Sequence, residues 1–280
     1  MKISIGKVIS HWWRELVMMA LALVWWIPFY FLINIALRPT SELTRPAVEL
    51  PLNLDLSNFA SAWQGSGGTP VGGALLSSLL ITTTAVLILV ILGSACAYTI
   101  SRRQGATGTV LYVLFATAIV LPFQLGIVPV YSAFQSLGLV GNYAGVILLE
   151  VGLQLPLVVF LYTGFARALP RDYEEAARLD GASQVRVFFS VVFPLLRPIT
   201  GTVAILSSIS IWNDFFNPLI FLGGSGNTTL PLAIYSFVGE FTSQWNLIFA
   251  AVIIALLPML AFFIIAQRQM VRGFAGGLRG

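Results

Sequence analysis

Six apolar runs, each about as long as a bilayer core is thick, set the terms for this chain. They lie at roughly 16–37, 73–100, 109–131, 144–166, 199–222 and 247–267. A helix needs about 20 apolar residues to cross the hydrocarbon core. Backbone in lipid must satisfy its own hydrogen bonds, so every run is expected to be helical. Composition agrees: 58% of the 280 residues are hydrophobic and 9% charged, against about a quarter charged in a soluble domain. Too few charges are left to cover a water-facing surface. The expected fold is an all-α membrane protein with six transmembrane helices, one domain over 1–280, with no internal repeat or low-complexity segment. The first run is longer than a signal-peptide core and no small-x-small cleavage pattern follows it, so it reads as a retained span.

The basic residues orient the spans. An even number of crossings puts both termini on one side. That side carries Lys2, Lys7 and Arg14, Arg102 and Arg103, Arg167, Arg171, Arg178, Arg186 and Arg197, then Arg268, Arg272 and Arg279. The other side has only Arg38 and Arg45. The positive-inside rule predicts cytoplasmic termini and a cytoplasmic 4–5 loop. The net charge of +4 therefore reports topology, and no nucleic-acid partner is expected. One cysteine, Cys96, and one histidine, His11, exclude an internal disulfide and make no metal site with standard spacing.

Nine of the charged residues fall between Arg167 and Arg197, in an otherwise apolar chain. Pro170 suits a first helical turn. Asp172 can cap it, with Glu175 completing a capping box. Gly181 fits the left-handed position that ends a helix. A second helix is expected from Gln184 to Phe193, stopped by Pro194 and Pro198. The 4–5 loop is thus a helix–Gly–helix elbow. Tyr173, Ala176, Ala177 and Asp180 share a face by helical spacing, and the two alanines leave it shallow. The second arm carries Val185, Val187, Phe188, Phe189, Val191 and Val192, too much apolar surface to face water without a partner. Read alone, the segment fits two descriptions. It is a solvated amphipathic loop, with Glu174 and Arg178 as an i, i+4 pair worth about 0.2–0.5 kcal/mol, or it is a docking element.

The residues Glu175-Ala176-Ala177, then Gly181, then Val191, Phe193 and Pro194, resemble the Glu-Ala-Ala…Gly…Ile-x-Leu-Pro loop of permease subunits of binding-protein-dependent ABC importers. Val191 and Phe193 replace the usual Ile and Leu, both apolar. The longer Glu-Ala-Ala-x-x-Asp-Gly-Ala-Ser string, Trp212-Asn213-Asp214-Phe215 and the tail Val271-Arg272-Gly273-Phe274-Ala275-Gly276-Gly277 are similar to the carbohydrate branch, specifically the maltose-type second permease subunit. Ser77-Ser78 departs from the Asn-Ser often found there. The resemblance covers nearly the whole chain. It implies that the elbow is a coupling helix seated in a cleft of a cytoplasmic ATPase. Glu174, Glu175, Ala176, Ala177 and Asp180 would then belong to the docking face, Gly181 would set the elbow angle and Pro194 would end the second arm. It also implies a heterodimer with a homologous permease, two cytoplasmic ATPase subunits that hold ATP and Mg, and an extracytoplasmic substrate-binding protein, all around the lipid bilayer. In the resembling subunits the tail reaches the ATPase.

Absences narrow the chemistry. A P-loop needs Gly-x-x-x-x-Gly-Lys-Ser/Thr, and the only lysines are Lys2 and Lys7, with Val8 after Lys7. No nucleophile elbow and no metal motif is present. The chain is expected to be no enzyme and to hold no cofactor itself, with ATP hydrolysis supplied by a partner. Two carboxylates fall in or near spans, and such charges default to functional hypotheses. Glu150 lies near the outer end of span four, where it is expected to reach water. Asp214 is deeper, close to Asn213, Asn217 and Pro218, where interrupted backbone lines a cavity or bonds between helices. Trp212, Asn213, Asp214 and Asn217 are the pathway candidates. The outer segments 38–72 and 223–246 are candidate surfaces for a binding protein. The expected function is import of a sugar or oligosaccharide. Import of a non-sugar solute by the same machinery, and an ion-coupled secondary transporter, are the alternatives.

Overall fold

The computed structural model describes residues 5–65, 68–103, 105–239 and 243–277, with side chains between 12 and 265. Lys2 and the side chains of Lys7, His11 and the 268–280 tail lie outside the described part. Every regular element described is helical. The chain divides into two compact units, Met1–Gly72 with Ala233–Leu257, and Gly73–Leu232 with Pro258–Gly280.

The first unit contains α1 (Ile5–Ala36), α2 (Ser57–Gln64) and the first part of the last helix. Along its described part α1 is exposed almost all round, with Trp12, Trp13, Trp25 and Trp26 among its outward residues. Residues 38–58 fold around a buried polar centre. Arg38 is 2% exposed. It donates to Asn34 Oδ1 at 3.1 Å and to the carbonyls of Arg45 at 3.1 Å, Pro46 at 3.0 Å and Glu49. Asn58 donates to the carbonyls of Ala36 and Arg38, and Asn246 donates to Asn58 at 2.8 Å. A buried cation survives here because its N–H groups are met by oxygen acceptors.

The second unit is built on α3 (Val71–Arg102, shared at its start with the first unit), α4 (Ala106–Val120), α5 (Ile127–Ser136) and α6 (Tyr143–Ala168). The elbow helices α7 (Asp172–Leu179), α8 (Gln184–Val187) and α9 (Phe193–Leu195) follow, then α10 (Arg197–Trp212) and α11 (Phe216–Phe221). Two helices cross the unit boundary: α12 (Leu230–Tyr235) and α13 (Trp245–Gly277). The Asn142 side chain caps α6 by accepting from Gly145 N–H at 2.8 Å. The core gathers Leu89, Val158, Val159, Tyr162, Ala166 and Val203. Gly93 lets α3 approach α6, since a Cβ there would stand 2.3 Å from Val158 Cγ1. Small residues at such crossings substitute for a hydrophobic driving force that lipid cannot supply.

Among the described residues, four helices are long and apolar enough to cross a membrane: Trp12–Ala36, Val71–Arg102, Tyr143–Ala168 and Trp245–Ile265. Two bent pairs bring the number to six if each is one crossing. Ala106–Val120 and Phe123–Ser136 meet at 90°, so the expected straight run 109–131 is broken. Leu121 precedes Pro122 and takes an extended ψ of 122°, as the clash with a proline ring demands. The expected run 199–222 is also divided. α10 starts at Arg197 and stops at Trp212, Asn213–Phe215 are non-helical, and α11 resumes at Phe216. With 16 residues, α10 spans about 24 Å at 1.5 Å per residue, short of a hydrocarbon core of about 30 Å.

Candidate functional site

The elbow begins with α7. Arg171, not Asp172, occupies its N-cap and makes no side-chain cap bond, so the expected capping box does not form. Asp172, Glu174 and Glu175 instead fill the first turn, where acidic groups complement the helix dipole. The end of α7 follows the sequence expectation. Gly181 has φ 84°, its N–H donates to the Arg178 carbonyl at 3.0 Å, and the Ala182 N–H donates to the Ala177 carbonyl at 3.0 Å. That pair of bonds is the Schellman arrangement, and it requires a left-handed residue. A Cβ at Gly181 would meet nothing within 4 Å, so the glycine answers to the backbone and not to crowding.

The second arm corrects another expectation. Pro194 does not stop it. From Gln184 the helix passes through a π-turn at Phe188–Val192, in which the Phe193 N–H bonds to the Phe188 carbonyl, and continues to Leu195. Pro194 sits near the start of this last turn, where a missing N–H is tolerated. The break comes at Leu196, with a bend of 77° into α10.

The two faces of the elbow differ. Glu174 is 3% exposed and turned inward. It accepts from Tyr98 Oη at 2.8 Å and from Arg102 Nε at 2.7 Å, with Arg102 Nη2 at 2.6 Å. The same guanidinium donates to the carbonyls of Ala166 at 3.0 Å and Leu169 at 3.4 Å. One arginine on α3 thus holds both the α7 carboxylate and the end of α6. Arg178 stands 3.8 Å from Glu174, a looser contact than the helical spacing suggests. Ala177 packs against the core. Glu175, Ala176, Asp180 and Gly181 face outward. Tyr173, Leu179, Val185 and Phe189 are exposed beside them, Leu179 at 90%. A recess of about 580 Å³ next to this face is lined by Arg102, Arg103, Arg178 and Gln184, among others.

The second constellation surrounds the α10–α11 break. Asp214 Oδ1 accepts from the Phe216 N–H at 3.0 Å and the Asn217 N–H at 3.4 Å, holding the start of α11. Asn217 is 9% exposed and donates Nδ2 to Glu150 Oε1 at 3.2 Å. Asp214 and Asn217 line a cavity of about 470 Å³ together with Gln154 and Phe216. Trp212 is buried and does not line it. Asn213 is exposed and spends its amide on the Ile209 carbonyl at 2.8 Å. Glu150 does not reach water: it is 2% exposed.

Residues 89–275 match the family described as "Binding-protein-dependent transport system inner membrane component". The chain belongs to this permease family. Among its relatives, the melibiose/raffinose/stachyose import permease protein MelC of Bacillus subtilis is 33% identical over 252 residues, 90% of each chain. The probable starch degradation products transport system permease protein AmyC of Thermoanaerobacterium thermosulfurigenes is 33% identical over 257 residues, 92% of each chain. In structure, a chain of a bacterial ABC transporter that imports the acidic polysaccharide alginate superposes with a TM-score of 0.79 at 19% identity, covering 96% of this chain and 99% of that one. The permease is therefore a multi-pass inner-membrane subunit of an ABC importer, and permeases of this family are not enzymes.

Tyr98, Arg102 and Glu150 of the permease were not among the site candidates of the sequence. Arg102 registered only as a topological charge, because its partner Glu174 lies 72 residues away in the chain. Hydropathy places Glu150 at a span end in reach of water, whereas it is buried and accepts from Asn217, 67 residues away. The one available signal was the presence of a charge inside an apolar run.

Proposed function

We propose that this permease carries a sugar or oligosaccharide through the membrane under the control of its cytoplasmic elbow. The observation that carries the reading is the elbow's division of labour. Arg102 and Tyr98 fasten its inner face through Glu174, while Leu179, Val185 and Phe189 stand exposed next to Glu175. A rigid mount with an outward apolar ridge is what a force-transmitting contact requires. In this reading 1–280 works as one transmembrane domain of six spans, with elbow and termini cytoplasmic. Two ATPase subunits bind ATP and Mg below it, a homologous second permease completes the channel, and a binding protein delivers solute to segments 38–72 and 223–246.

The elbow's contact set is then Glu175, Ala176, Asp180 and Gly181, with Glu174 and Ala177 as internal supports. The recess bearing Arg103 and Arg178 offers a place for an acidic group of the ATPase. Solute passes the α10–α11 break, where Asp214 and Asn217 line the cavity. The relatives named for raffinose-type sugars and starch products support an oligosaccharide as cargo.

The test is purification of the tagged native chain in mild detergent, with the masses and stoichiometry of whatever accompanies it. Two copies of a P-loop ATPase and one of a second permease are expected. A clean homo-oligomer, with no ATPase recovered even after crosslinking at 171–194, overturns the reading. Charge reversal of Glu175 should weaken recovery of the ATPase.

A further inference from the structure

We propose that residues 48–56 form an interfacial strap. It lies in the lipid headgroup layer at the Ala36 end of α1, with Val48, Leu50, Leu52, Leu54 and Leu56 turned into the membrane. The partner of this surface is lipid, and the strap stands independently of the cargo the importer carries.

The stretch Val48-Glu49-Leu50-Pro51-Leu52-Asn53-Leu54-Asp55-Leu56 has a large apolar residue at every second position. A water-facing loop would turn this set inward. Here the reverse holds: all five are between 69% and 73% exposed. The polar groups are spent internally instead. Five successive carbonyls accept from side chains at the end of α1. Arg38 donates to those of Arg45 and Pro46, Asn34 to that of Ala47 at 2.9 Å, Tyr30 Oη to that of Val48 at 2.6 Å, and both Asn34 and Arg38 to that of Glu49. The N–H groups of Arg45, Glu49 and Asp55 bond to backbone carbonyls, and that of Leu52 bonds to Glu42 at 2.9 Å. Pro46 and Pro51 have no N–H to satisfy. Backbone that lies in lipid must have its polar groups met, and α1 meets them here. Arg45 and Glu49 pair at 2.5 Å, so the two charges beside the stripe offset each other, as charges near lipid do.

The same bonds set the depth of the strap. Val48 is tied to Tyr30, inside the span Trp12–Ala36, and the Asp55 N–H donates to the Leu37 carbonyl at 2.8 Å. Seven helical residues separate those two anchors, about 10 Å along the axis. Interfacial apolar faces sink about 5–10 Å into the headgroup and acyl boundary. Before Tyr30, α1 exposes Trp25, Trp26, Ile27 and Phe29, so the strap continues a surface that already belongs to lipid. Water suits the stripe poorly, because five large apolar side chains in one row make a patch that a soluble surface avoids. A protein partner suits it less well than lipid does. A chain that docks on an extended segment reads it through free backbone groups, and the carbonyls of 45–49 are already taken. The rest of segment 38–72 is left for a binding protein.

The experiment uses the native assembly, purified in mild detergent and reconstituted into vesicles of phosphatidylethanolamine and phosphatidylglycerol. Cys96, the only cysteine, is replaced by Ala. Nitroxide labels are then placed one at a time at Leu50→Cys, Leu52→Cys and Leu54→Cys. Val24→Cys on α1 is the lipid reference, and a free nitroxide in buffer is the water reference. Collisions with dissolved oxygen, which concentrates in lipid, are compared with collisions with a water-soluble nickel chelate. The oxygen-to-nickel ratio at Leu50 and Leu52 is expected to stand severalfold above the buffer value and to approach that of Val24. A ratio equal to the buffer value overturns the strap in favour of a water-facing loop. Poor collision with both reagents overturns it in favour of a protein that covers the stripe. Should one label lower the melting temperature of the assembly, Val48→Cys and Leu56→Cys, exposed to the same degree, give the same reading.

Discussion

Glu174 and Asp214 both stand where a run of helix is interrupted, yet their surroundings treat them oppositely. Glu174 receives a phenol, a guanidinium and a second, looser arginine, so its charge is consumed inside the protein. Asp214 accepts on Oδ1 from two backbone N–H groups at the start of α11 and borders a cavity. A satisfied buried charge fixes geometry, because removing either member strands the other. The two breaks therefore differ: Glu174 is tied to α3 through side chains, while Asp214 serves the backbone at the start of α11 beside a cavity.

The contrast is most sharply tested by stability. Arg102→Ala should destabilise the permease by about 3–5 kcal/mol, the usual cost of stranding a buried ion-pair partner, read from thermal melting in detergent. Replacing Arg102 and Glu174 together by Met should recover most of that loss. If Asp214→Ala cost as much as Arg102→Ala, the distinction between the two breaks would collapse. Gly181→Ala should cost about 1–2 kcal/mol through its left-handed backbone. Gly181→Asp should also abolish ATPase recovery, because the added side chain points outward, where nothing internal meets it. Asp214→Ala should cost only about 1 kcal/mol, the net value of its hydrogen bonds from the first N–H groups of α11.

The smallest effect concerns a third acid, outside the membrane segments. The backbone N–H of Leu52 is the main cause that holds Glu42 below its ordinary value of 4.5, aided by Asn53 and Arg45 and opposed by burial. A lowered carboxyl contributes stability above its unfolded value, and that contribution disappears as pH falls through the lowered folded one. Protection of the Leu52 amide against hydrogen exchange, relative to its intrinsic rate, should therefore fall below pH 4.5, and Glu42→Gln should remove that dependence. A flat profile in the wild type would show that Glu42 is not held as Glu174 is.

Much of the elbow was legible in the chain. Gly181 announced a helix end because few other residues tolerate a positive φ, and the structure gives it φ 84°. The arm beyond it was less legible. Pro194 is a local stop signal, but a π-turn absorbs it, and a π-turn depends on how Phe188 and Val192 pack into the core. Asp214 and Asn217 drew attention as polar residues in an apolar run, and the cavity lies beside them. Trp212 and Asn213 drew the same attention and proved to be a packed ring and a helix-end bond.

By itself the sequence determined the solvent, the helical class, the approximate positions of the long spans and the placing of the elbow. All of these depend on local composition or on neighbours within a few residues. Tertiary structure alone decided that Glu174 is an internal bolt while Glu175 faces outward. It also decided that Arg102 ties α3 to α6 and α7, and that Glu150 meets Asn217 and not water. Those outcomes depend on which helix packs against which, and partners 67 and 72 residues apart leave no periodic trace in the chain.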